Sequence, residues 1–139
     1  MPCETRYKSF QSKAAMKILI ETIPYSKMRY PTVGDYFIKD GIVYIQVAKL
    51  GNWRYEACSI AHELVEFFVV KYQNIPLKKI DHFDDLFERK REEGNIDEPG
   101  DDPRAPYKTA HSVASGIERI VAAMLCVGWK KYSQKVDSL

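Results

Sequence analysis

The first half of the chain alternates between apolar and polar positions in short runs that are rich in β-branched residues. Residues 17–24 form such a run and end at a proline, which predicts a strand. Two more runs, residues 35–39 and 42–47, flank the pair Asp40-Gly41. An Asp-Gly pair in this setting favours a tight hairpin of type I′, since both central residues of that turn need a positive φ. The pattern therefore predicts a small antiparallel β-sheet of two to three strands.

The second half of the chain repeats apolar residues at helical spacing. Three helices are predicted, over about residues 54–72, 77–93 and 108–132, with Gly94 as the C-terminal cap of the second. The predicted core-facing residues of the first helix are Ala57, Ile60, Ala61, Leu64, Val65 and Phe68. Those of the last helix are Val113, Ile117, Ile120, Val121, Met124 and Val127. A small sheet followed by three helices predicts one α+β domain over residues 1–139.

Composition and charge narrow the class of protein. The 139 residues are 45% hydrophobic and 29% charged, and the formal net charge is only +2. This balance is typical of an ordinary soluble domain and argues against a dedicated nucleic-acid binder or a polybasic membrane module. The longest apolar run, residues 120–129, is too short to cross a membrane. The odd number of cysteines, without close spacing, favours a reduced state and a cytoplasmic location.

A metal-binding spacing occurs in the predicted first helix, in the segment His62-Glu63-Leu64-Val65-Glu66. Residues four apart share one helix face, with Cβ atoms roughly 5–6 Å from each other, so His62 and Glu66 can bind the same ion. Glu63 is rotated by about 100° and can act as a general base toward a metal-bound water. The arrangement follows the His-Glu-x-x-His helix of zinc metalloproteases, with a glutamate in place of the second histidine.

A third ligand is predicted on the last helix. His111, Ser115, Glu118 and Ala122 fall within a narrow arc, and the two small residues allow another helix to approach closely. If that neighbour is the 54–72 helix, His111 completes a set of two histidines and one glutamate around zinc or another divalent ion. Glu118 is then either a fourth ligand or the acceptor for the N–H of a ligating imidazole.

Other residues are weaker candidates, and each also has a purely structural interpretation. Asp84 is a further candidate for the role of fourth ligand or outer acceptor, but it also fits a solvated helix position. Arg104 and Tyr107, in the proline-rich loop before the last helix, are candidate substrate contacts, although a stiff connector with a buried tyrosine is the simpler explanation. Cys58, one turn before His62, is either a ligand or a small core residue. The whole cluster can likewise be a structural polar network between two helices.

Two resemblances add to these observations. The strand-turn-strand that leads into the segment SIAHELVE, within residues 36–70, resembles the core of small zincin-like metallopeptidases, in which an edge strand lies beside the active-site helix. A broader series is similar to small uncharacterised proteins of phages and prophages; it consists of HELVE (62–66), IDHFD (80–84), EPGDDPRAPY (98–107), His111, Glu118 and Trp129. The first resemblance implies a zincin-like fold and hydrolysis of a peptide or other amide bond. The second implies a phage or prophage setting inside a host cell.

Residues and resemblances together predict a zinc-dependent hydrolase with a peptide or protein substrate, located in the cytoplasm, with neither a nucleic acid nor a membrane as partner. The alternative prediction is a non-catalytic phage or prophage accessory protein that binds another protein, in which the polar cluster is structural. A metal site and a merely structural cluster differ in one geometric expectation. His62, Glu66 and His111 should direct their ligand atoms at one common point.

Overall fold

The structure, a computed structural model, describes residues 15–139. The N-terminal part is a three-stranded sheet of β1 (Ile18–Ile23), β2 (Gly34–Lys39) and β3 (Ile42–Ala48). β2 and β3 form the predicted hairpin, and Asp40 and Gly41 have positive φ values of 52° and 75°. Such values are what the tight turn requires, so the hairpin is confirmed, together with the strand predicted before it.

The sheet is mixed, which corrects the prediction of an antiparallel sheet. β3 lies in the centre, antiparallel to β2 and parallel to β1, with Ile20 opposite Ile45 in the parallel register. Residues 24–33, which include a 3₁₀ turn at Tyr25–Lys27, carry the chain from one edge of the sheet to the other. Parallel pairing needs a crossover of this kind and depends on the path of the chain, so a local pattern does not reveal it.

Four helices follow the sheet: α1 (Trp53–Tyr72), α2 (Leu77–Arg89), α3 (Lys108–Met124) and α4 (Trp129–Asp137). α1 begins where the side chain of Asn52 accepts a hydrogen bond from the backbone N–H of Arg54 at 3.0 Å. It is the central element, since it contacts β2 and β3 as well as α3. Across residues 15–139, none of the helices combines the length and apolar character needed to cross a bilayer. The α+β class is confirmed, with four helices where three are predicted.

The buried side of α1 differs from the predicted one. Phe68 is 44% exposed, and the other predicted core residues of this helix are only half-buried. The buried set includes polar side chains and consists of Cys58, Ser59, His62, Glu63, Glu66, Phe67 and Val70. A helix that is covered by a sheet and by another helix has no single apolar stripe. Hydrophobic spacing alone therefore predicts the wrong residues as its buried side.

α2 ends earlier than predicted. Its last helical residue is Arg89, and Gly94 lies beyond it with a φ of 83°, so Gly94 is not the cap of this helix. The guanidinium of Arg91 donates to the carbonyl oxygens of Asn95 at 2.7 Å and Asp97 at 2.8 Å. These hydrogen bonds hold the chain in a turn, and the helix cannot continue through it.

The predicted last helix is broken into α3 and α4. Cys126 has a φ of 54°, and the N–H of Val127 donates to the carbonyl of Ala122 at 2.8 Å, which is the geometry of a Schellman-type helix end. Arg54 of α1 donates to the carbonyl of Leu125 at 3.2 Å. A contact from another helix therefore helps to close α3, and the local sequence does not show it.

α3 is rotated relative to the prediction. Val113, Ile117, Ile120 and Met124 are 45%, 36%, 59% and 79% exposed, so their predicted place in the core is wrong. The buried residues of α3 are instead Ala110, His111, Ala114 and Ala122. Alanines allow the backbones of α1 and α3 to approach closely, and this packing directs a polar part of α3 inward.

Apolar clusters lie at both ends of α1 and against the sheet. The cluster at its beginning contains Leu50, Cys58, Ala122, Val127 and Tyr132. The cluster at its end contains Val70, Ile80, Ala105, Tyr107 and Ala110. A third cluster joins Phe67 to the sheet residues Tyr36, Val43 and Ile45. The buried polar residues of α1 lie between the first two clusters.

Candidate metal centre

α1 presents His62 and Glu66 one turn apart on its buried side. Nε2 of His62 lies 3.0 Å from Oε2 of Glu66, and the two residues are 8% and 5% exposed. The four-residue spacing places both on one helix face, as the sequence predicts. Since both groups are withdrawn from bulk water, their charges have to be balanced by other groups of the protein.

α3 brings His111 to the same point. Nδ1 of His111 lies 3.0 Å from Oε2 of Glu66, and the ring centroids of the two histidines are 4.8 Å apart. The ligand atoms offered by His62, Glu66 and His111 all lie within 4.8 Å of one another. The fully buried Ala110 and Ala114, on the same helix, leave room for this approach. The structure thus brings together the three side chains that the sequence predicts as ligands.

Carboxylates also face the outward nitrogen of each imidazole. Nδ1 of His62 lies 2.7 Å from Oε1 of Glu118. Nε2 of His111 lies 3.2 Å from Oε2 of Glu98 and 3.3 Å from Oδ1 of Asp101. Each imidazole therefore has one nitrogen directed at Glu66 and the other at an outer carboxylate. Glu118 lies at the outward nitrogen of its histidine, which is the acceptor role and not that of a fourth ligand.

A 3₁₀ turn, Pro99–Asp101, packs directly on the ring of His111. Gly100 is buried in this turn, and a Cβ built on it would lie 2.9 Å from Cδ2 of His111. Contacts this short do not occur for real Cβ atoms, so the backbone can approach the ring only because residue 100 is glycine. The turn therefore fixes Glu98 and Asp101 at the outer edge of the imidazole.

Strand β2 orients the central carboxylate. The hydroxyl of Tyr36 donates to Oε1 of Glu66 at 2.9 Å. The other oxygen, Oε2, faces both His62 and His111 at 3.0 Å. Glu66 is thus held from the sheet on one side, and its Oε2 is the atom shared by the two histidines.

This donor set can hold a divalent metal ion. Zinc binds imidazole nitrogen and carboxylate oxygen at about 2.0–2.2 Å, which places neighbouring ligand atoms of a tetrahedral site roughly 3.3–3.6 Å apart. Oε2 of Glu66 lies 3.0 Å from each inward imidazole nitrogen, close to that spacing. Metal-bound histidines usually donate their remaining N–H to a carboxylate, and Glu118 and Glu98 are placed to accept here. The chemistry and the spacing of the residues therefore fit a metal ion.

Burial and hydrogen bonding compete in setting the protonation of the cluster. Burial lowers the pKa of His62, but hydrogen bonds with Glu118 and Glu66 outweigh it and raise the pKa to about 11. Burial also lowers the pKa of His111, and hydrogen bonds with Glu66 and Glu98 raise it to about 10. Burial raises the pKa of Glu66, yet the two imidazoles lower it below the ordinary range. A metal ion that binds the inward nitrogens must therefore displace protons.

Glu63 lies beside the three ligands and against β2. A Cβ built on Gly34 would lie 2.7 Å from Cδ of Glu63, so this carboxyl fits only because residue 34 is glycine. Glu63 is 9% exposed, and its burial together with the charge of Glu66 raises its pKa well above the ordinary value. Within residues 15–139, no hydrogen bond uses its carboxyl, which lines a cavity.

That cavity, of about 370 Å³, opens onto the cluster. Its lining includes Glu63 and the three predicted ligands, and it extends along α2 and beneath the loop that precedes α3. The volume falls within the range of small-molecule binding sites. The predicted base and the predicted ligands therefore face a space that is large enough for part of a substrate.

The remaining predicted residues lie away from the common point. The hydroxyl of Tyr107 donates to Oδ1 of Asp84 at 2.6 Å, and both residues line the cavity. Arg104 has a side chain that is 83% exposed and pairs with Asp102 at 2.8 Å, outside the cavity lining. Cys58 is fully buried in the apolar cluster at the beginning of α1. Asp84 and Tyr107 thus line the cavity, whereas Arg104 does not.

Three residues of the site are not predicted by the sequence pattern: Tyr36, Glu98 and Asp101. The direction of a loop or strand side chain depends on the tertiary path of the chain, and no spacing rule links these residues to His62 or His111. The sequence offers one signal for the loop residues, the glycine at position 100 between Glu98 and Asp101, because a glycine allows the backbone to approach a neighbouring group closely.

Comparison with known proteins assigns the chain to no family. No family model, no curated protein and no solved structure matches it.

Proposed function

We propose that the protein is a zinc-dependent hydrolase of zincin-like type. Zinc is held by Nε2 of His62, Oε2 of Glu66 and Nδ1 of His111, a set of nitrogen and oxygen donors that zinc commonly accepts. The observation that supports the proposal best is the convergence of these atoms within 4.8 Å, with the outward nitrogen of each histidine facing a carboxylate. Outer acceptors of this kind fix the tautomer and the orientation of ligating imidazoles.

Glu63 is the general base in this proposal. Zinc bound by these residues would lower the pKa of a coordinated water to about 7 and would polarise a carbonyl group. The Glu63 carboxyl lines the cavity next to the ligands and takes no part in another hydrogen bond within the described residues. It therefore accepts the proton of the attacking water as the water oxygen bonds to the carbonyl carbon. The same proton then passes to the leaving nitrogen as the C–N bond breaks.

The substrate in this proposal is a peptide or a related amide. The cavity is lined by residues of α2 on one side and of the loop before α3 on the other, so it has room for groups on either side of the reacting bond. Tyr107, whose hydroxyl is engaged by Asp84 at 2.6 Å, forms part of the wall that such a chain contacts.

Elemental analysis of protein purified without a histidine tag tests the metal, and one variant tests the base. Zinc is expected at one equivalent, with binding retained in Glu63→Gln because this residue is not a ligand. Hydrolysis of a quenched peptide library should fall at least about 100-fold in the same variant, since general bases commonly contribute 10²–10⁴. Glu92→Gln, at an exposed position outside the cavity, is the matched control and should change neither property. A protein that binds no zinc, manganese or nickel contradicts the proposal.

A second candidate is a non-catalytic phage or prophage accessory protein of the host cytoplasm that binds another protein. One observation favours a structural role for the cluster: both nitrogens of each imidazole already face carboxylates, so protons alone complete the network of His62, Glu66 and His111. In this case the cluster is structural. Thermal stability should then be unchanged by added zinc, and Glu63→Gln should alter neither metal content nor any hydrolysis.

A further inference from the structure

One wall of the cavity is formed by α2 and is acidic. Asp81, Asp84 and Glu88 recur at spacings of three and four residues, so all three lie on one side of this helix, and all line the cavity. They face the same space as Glu63 and the three ligands. The chain as a whole has a net charge of +2, so this concentration of acidic groups is a property of the cavity.

Two of the acidic residues that line the cavity, Glu88 of α2 and Asp35 of β2, are paired with arginine. Both guanidinium contacts of Arg91 with Glu88 are 2.8 Å long. Arg29 donates to Asp35 at 2.7 Å and 3.1 Å. Arg91 is the only arginine or lysine among the cavity-lining residues of the described chain, and its charge is already used.

Asp81 and Asp84 remain without a comparable partner. The nearest cation to Asp81 is Arg29 at 3.6 Å, and that guanidinium is bound more closely to Asp35. Asp84 accepts one hydrogen bond, from the neutral hydroxyl of Tyr107. Burial, and then the charges of Glu66 and Asp81, raise the pKa of Asp84 to about 7 although Tyr107 lowers it. A cation in the cavity would relieve this repulsion.

A separate observation also points to a ligand in this space. The carboxyl of Glu63 belongs to a residue that is 9% exposed, it lines the cavity, and no hydrogen bond in the described part of the chain uses it. Every fully enclosed side-chain oxygen or nitrogen of residues 15–139 has a hydrogen-bond partner, so the Glu63 oxygens are reached from the cavity, where a ligand or water completes their contacts. Tyr25 and Tyr30 line the α2 side of the same cavity, and aromatic faces attract organic cations.

We propose that the substrate carries a basic side chain, the ammonium of lysine or the guanidinium of arginine, which lies between Asp81 and Asp84 while the reacting bond lies at the metal centre. This inference rests on the proposed hydrolase function and adds the substrate class. Low-dielectric walls lined by one sign of charge focus the field and favour ligands of the opposite sign. The acidic wall of α2 is therefore the specificity element of the site.

Peptide hydrolysis by the zinc-loaded protein gives the first test. The substrates are N-acetylated peptide amides that carry lysine, norleucine or glutamate at one position. Comparison of these peptides separates the effect of side-chain charge from the effect of side-chain length. The best lysine peptide should have a kcat/KM about tenfold or more above its norleucine analogue. The double variant Asp81→Asn/Asp84→Asn should abolish that preference and keep its zinc. Asp85→Asn, on the same helix but paired with exposed Arg89 and outside the cavity, is the control.

Binding to the zinc-free protein gives a second readout that does not depend on activity. N-acetyl-lysine amide at millimolar concentration should shift the backbone amide NMR signals of residues 77–89, and N-acetyl-norleucine amide should not. The inference is overturned if both probes shift the signals equally. It is also overturned if neither probe shifts them and the lysine and norleucine peptides are hydrolysed at equal rates. A preference for peptides with a free α-amino group over acetylated ones also overturns it, because the cation is then not a side chain.

The two proposals fail in different ways. If no peptide is hydrolysed, the hydrolase function is wrong, and the NMR comparison alone decides whether Asp81 and Asp84 bind a cation. If peptides are hydrolysed without preference for lysine or arginine, the hydrolase function stands and the substrate class is wrong.

Discussion

An ordinary surface helix buries its apolar face and exposes its polar face. In α3 the buried inner face is polar and the exposed outer face is apolar. The inner face carries His111 and Glu118 beside small alanines, and it packs on α1. The outer face carries Val113, Ile117, Ile120 and Met124, all of them exposed. Apolar side chains would bury more favourably than charged ones, so the stability of the fold alone does not explain this orientation. The inner face is arranged around the polar cluster of His62, Glu66 and His111.

The same contrast distinguishes the middle of α1 from its ends. Its ends pack in apolar clusters around Cys58 and Val70, whereas its middle buries His62, Glu63 and Glu66. Buried ionisable groups persist where their partners satisfy them, and perturbed groups of this kind are concentrated at functional sites. Substitutions on the inner and outer faces of α3 are therefore expected to differ in kind, and the following predictions test that difference.

The largest expected effect is on zinc affinity. His111→Ala should weaken zinc binding by roughly 100-fold or more, because losing even an outer partner of a ligating histidine typically costs about 10–100-fold. His82→Ala is the matched control, since His82 is exposed on α2 and takes no part in the cluster. Competition with a chelating dye measures both variants. Equal affinities in the two variants would contradict the metal centre.

The pH dependence of stability should be large in the zinc-free protein. The folded-state pKa values of His62 and His111, about 11 and 10, lie above the value of about 6.5 expected for unfolded histidine. Their contribution to the free energy of unfolding is therefore complete below about pH 6.5 and is lost as the pH rises through 10 to 11. Urea unfolding between pH 6 and pH 10.5 should show this decline.

His62→Gln supplies the control for that profile. Glutamine keeps a hydrogen-bonding side chain but does not titrate, so the decline at high pH should become shallower in this variant. Saturating zinc should also flatten the wild-type profile, because the metal replaces the protons on the inward nitrogens. A wild-type profile that is already flat without zinc would show that the two imidazoles are not held by their carboxylate partners.

A pair of glycine substitutions compares the two faces of α3 directly. Gly100→Ala places a Cβ against the ring of His111 and should destabilise the protein by about 1–3 kcal/mol. Gly116→Ala lies on the exposed face of α3, where an added Cβ meets nothing within 4 Å, and should stabilise the helix by about 0.5–1 kcal/mol. Urea denaturation of the zinc-free protein measures both. The same sign for both variants would contradict the close packing of the loop on His111.

The smallest effect is expected on the outer apolar residues. Ile120→Gln and Met124→Gln should change the free energy of unfolding by no more than about 0.5 kcal/mol, because these side chains are 59% and 79% exposed. Phe67→Ala, at a residue that is 2% exposed, should cost about 3–5 kcal/mol and serves as the comparison. A large loss in either outer variant would show that this face is covered in solution.

Elements that are fixed by neighbouring residues could be predicted from the sequence. The hairpin depends on the positive φ values of Asp40 and Gly41, which these residue types adopt readily. The pairing of His62 with Glu66 depends only on the four-residue period of a helix. The meeting of His111 with them required one further assumption, that α1 and α3 are neighbours, and the small residues Ser115 and Ala122 of the last helix allowed it.

Elements that depend on contacts between distant segments of the chain could not be predicted from the sequence. The parallel pairing of β1 with β3 depends on the path of residues 24–33, and the end of α3 depends on a hydrogen bond from Arg54 to the carbonyl of Leu125. The exposed side of α3 was mispredicted because hydrophobic spacing identifies the apolar face of a helix, and here that face points outward.

By itself, then, the sequence determined the α+β class, the hairpin and the identity of three ligand candidates, since turn conformation and helical period are properties of neighbouring residues. Only the tertiary structure decided which face of α3 is buried, where the acidic side chains of the loop and of α2 lie, and that both imidazoles share Oε2 of Glu66. These depend on distances between segments far apart in the chain. Such distances are fixed by how the whole set of helices and strands packs together.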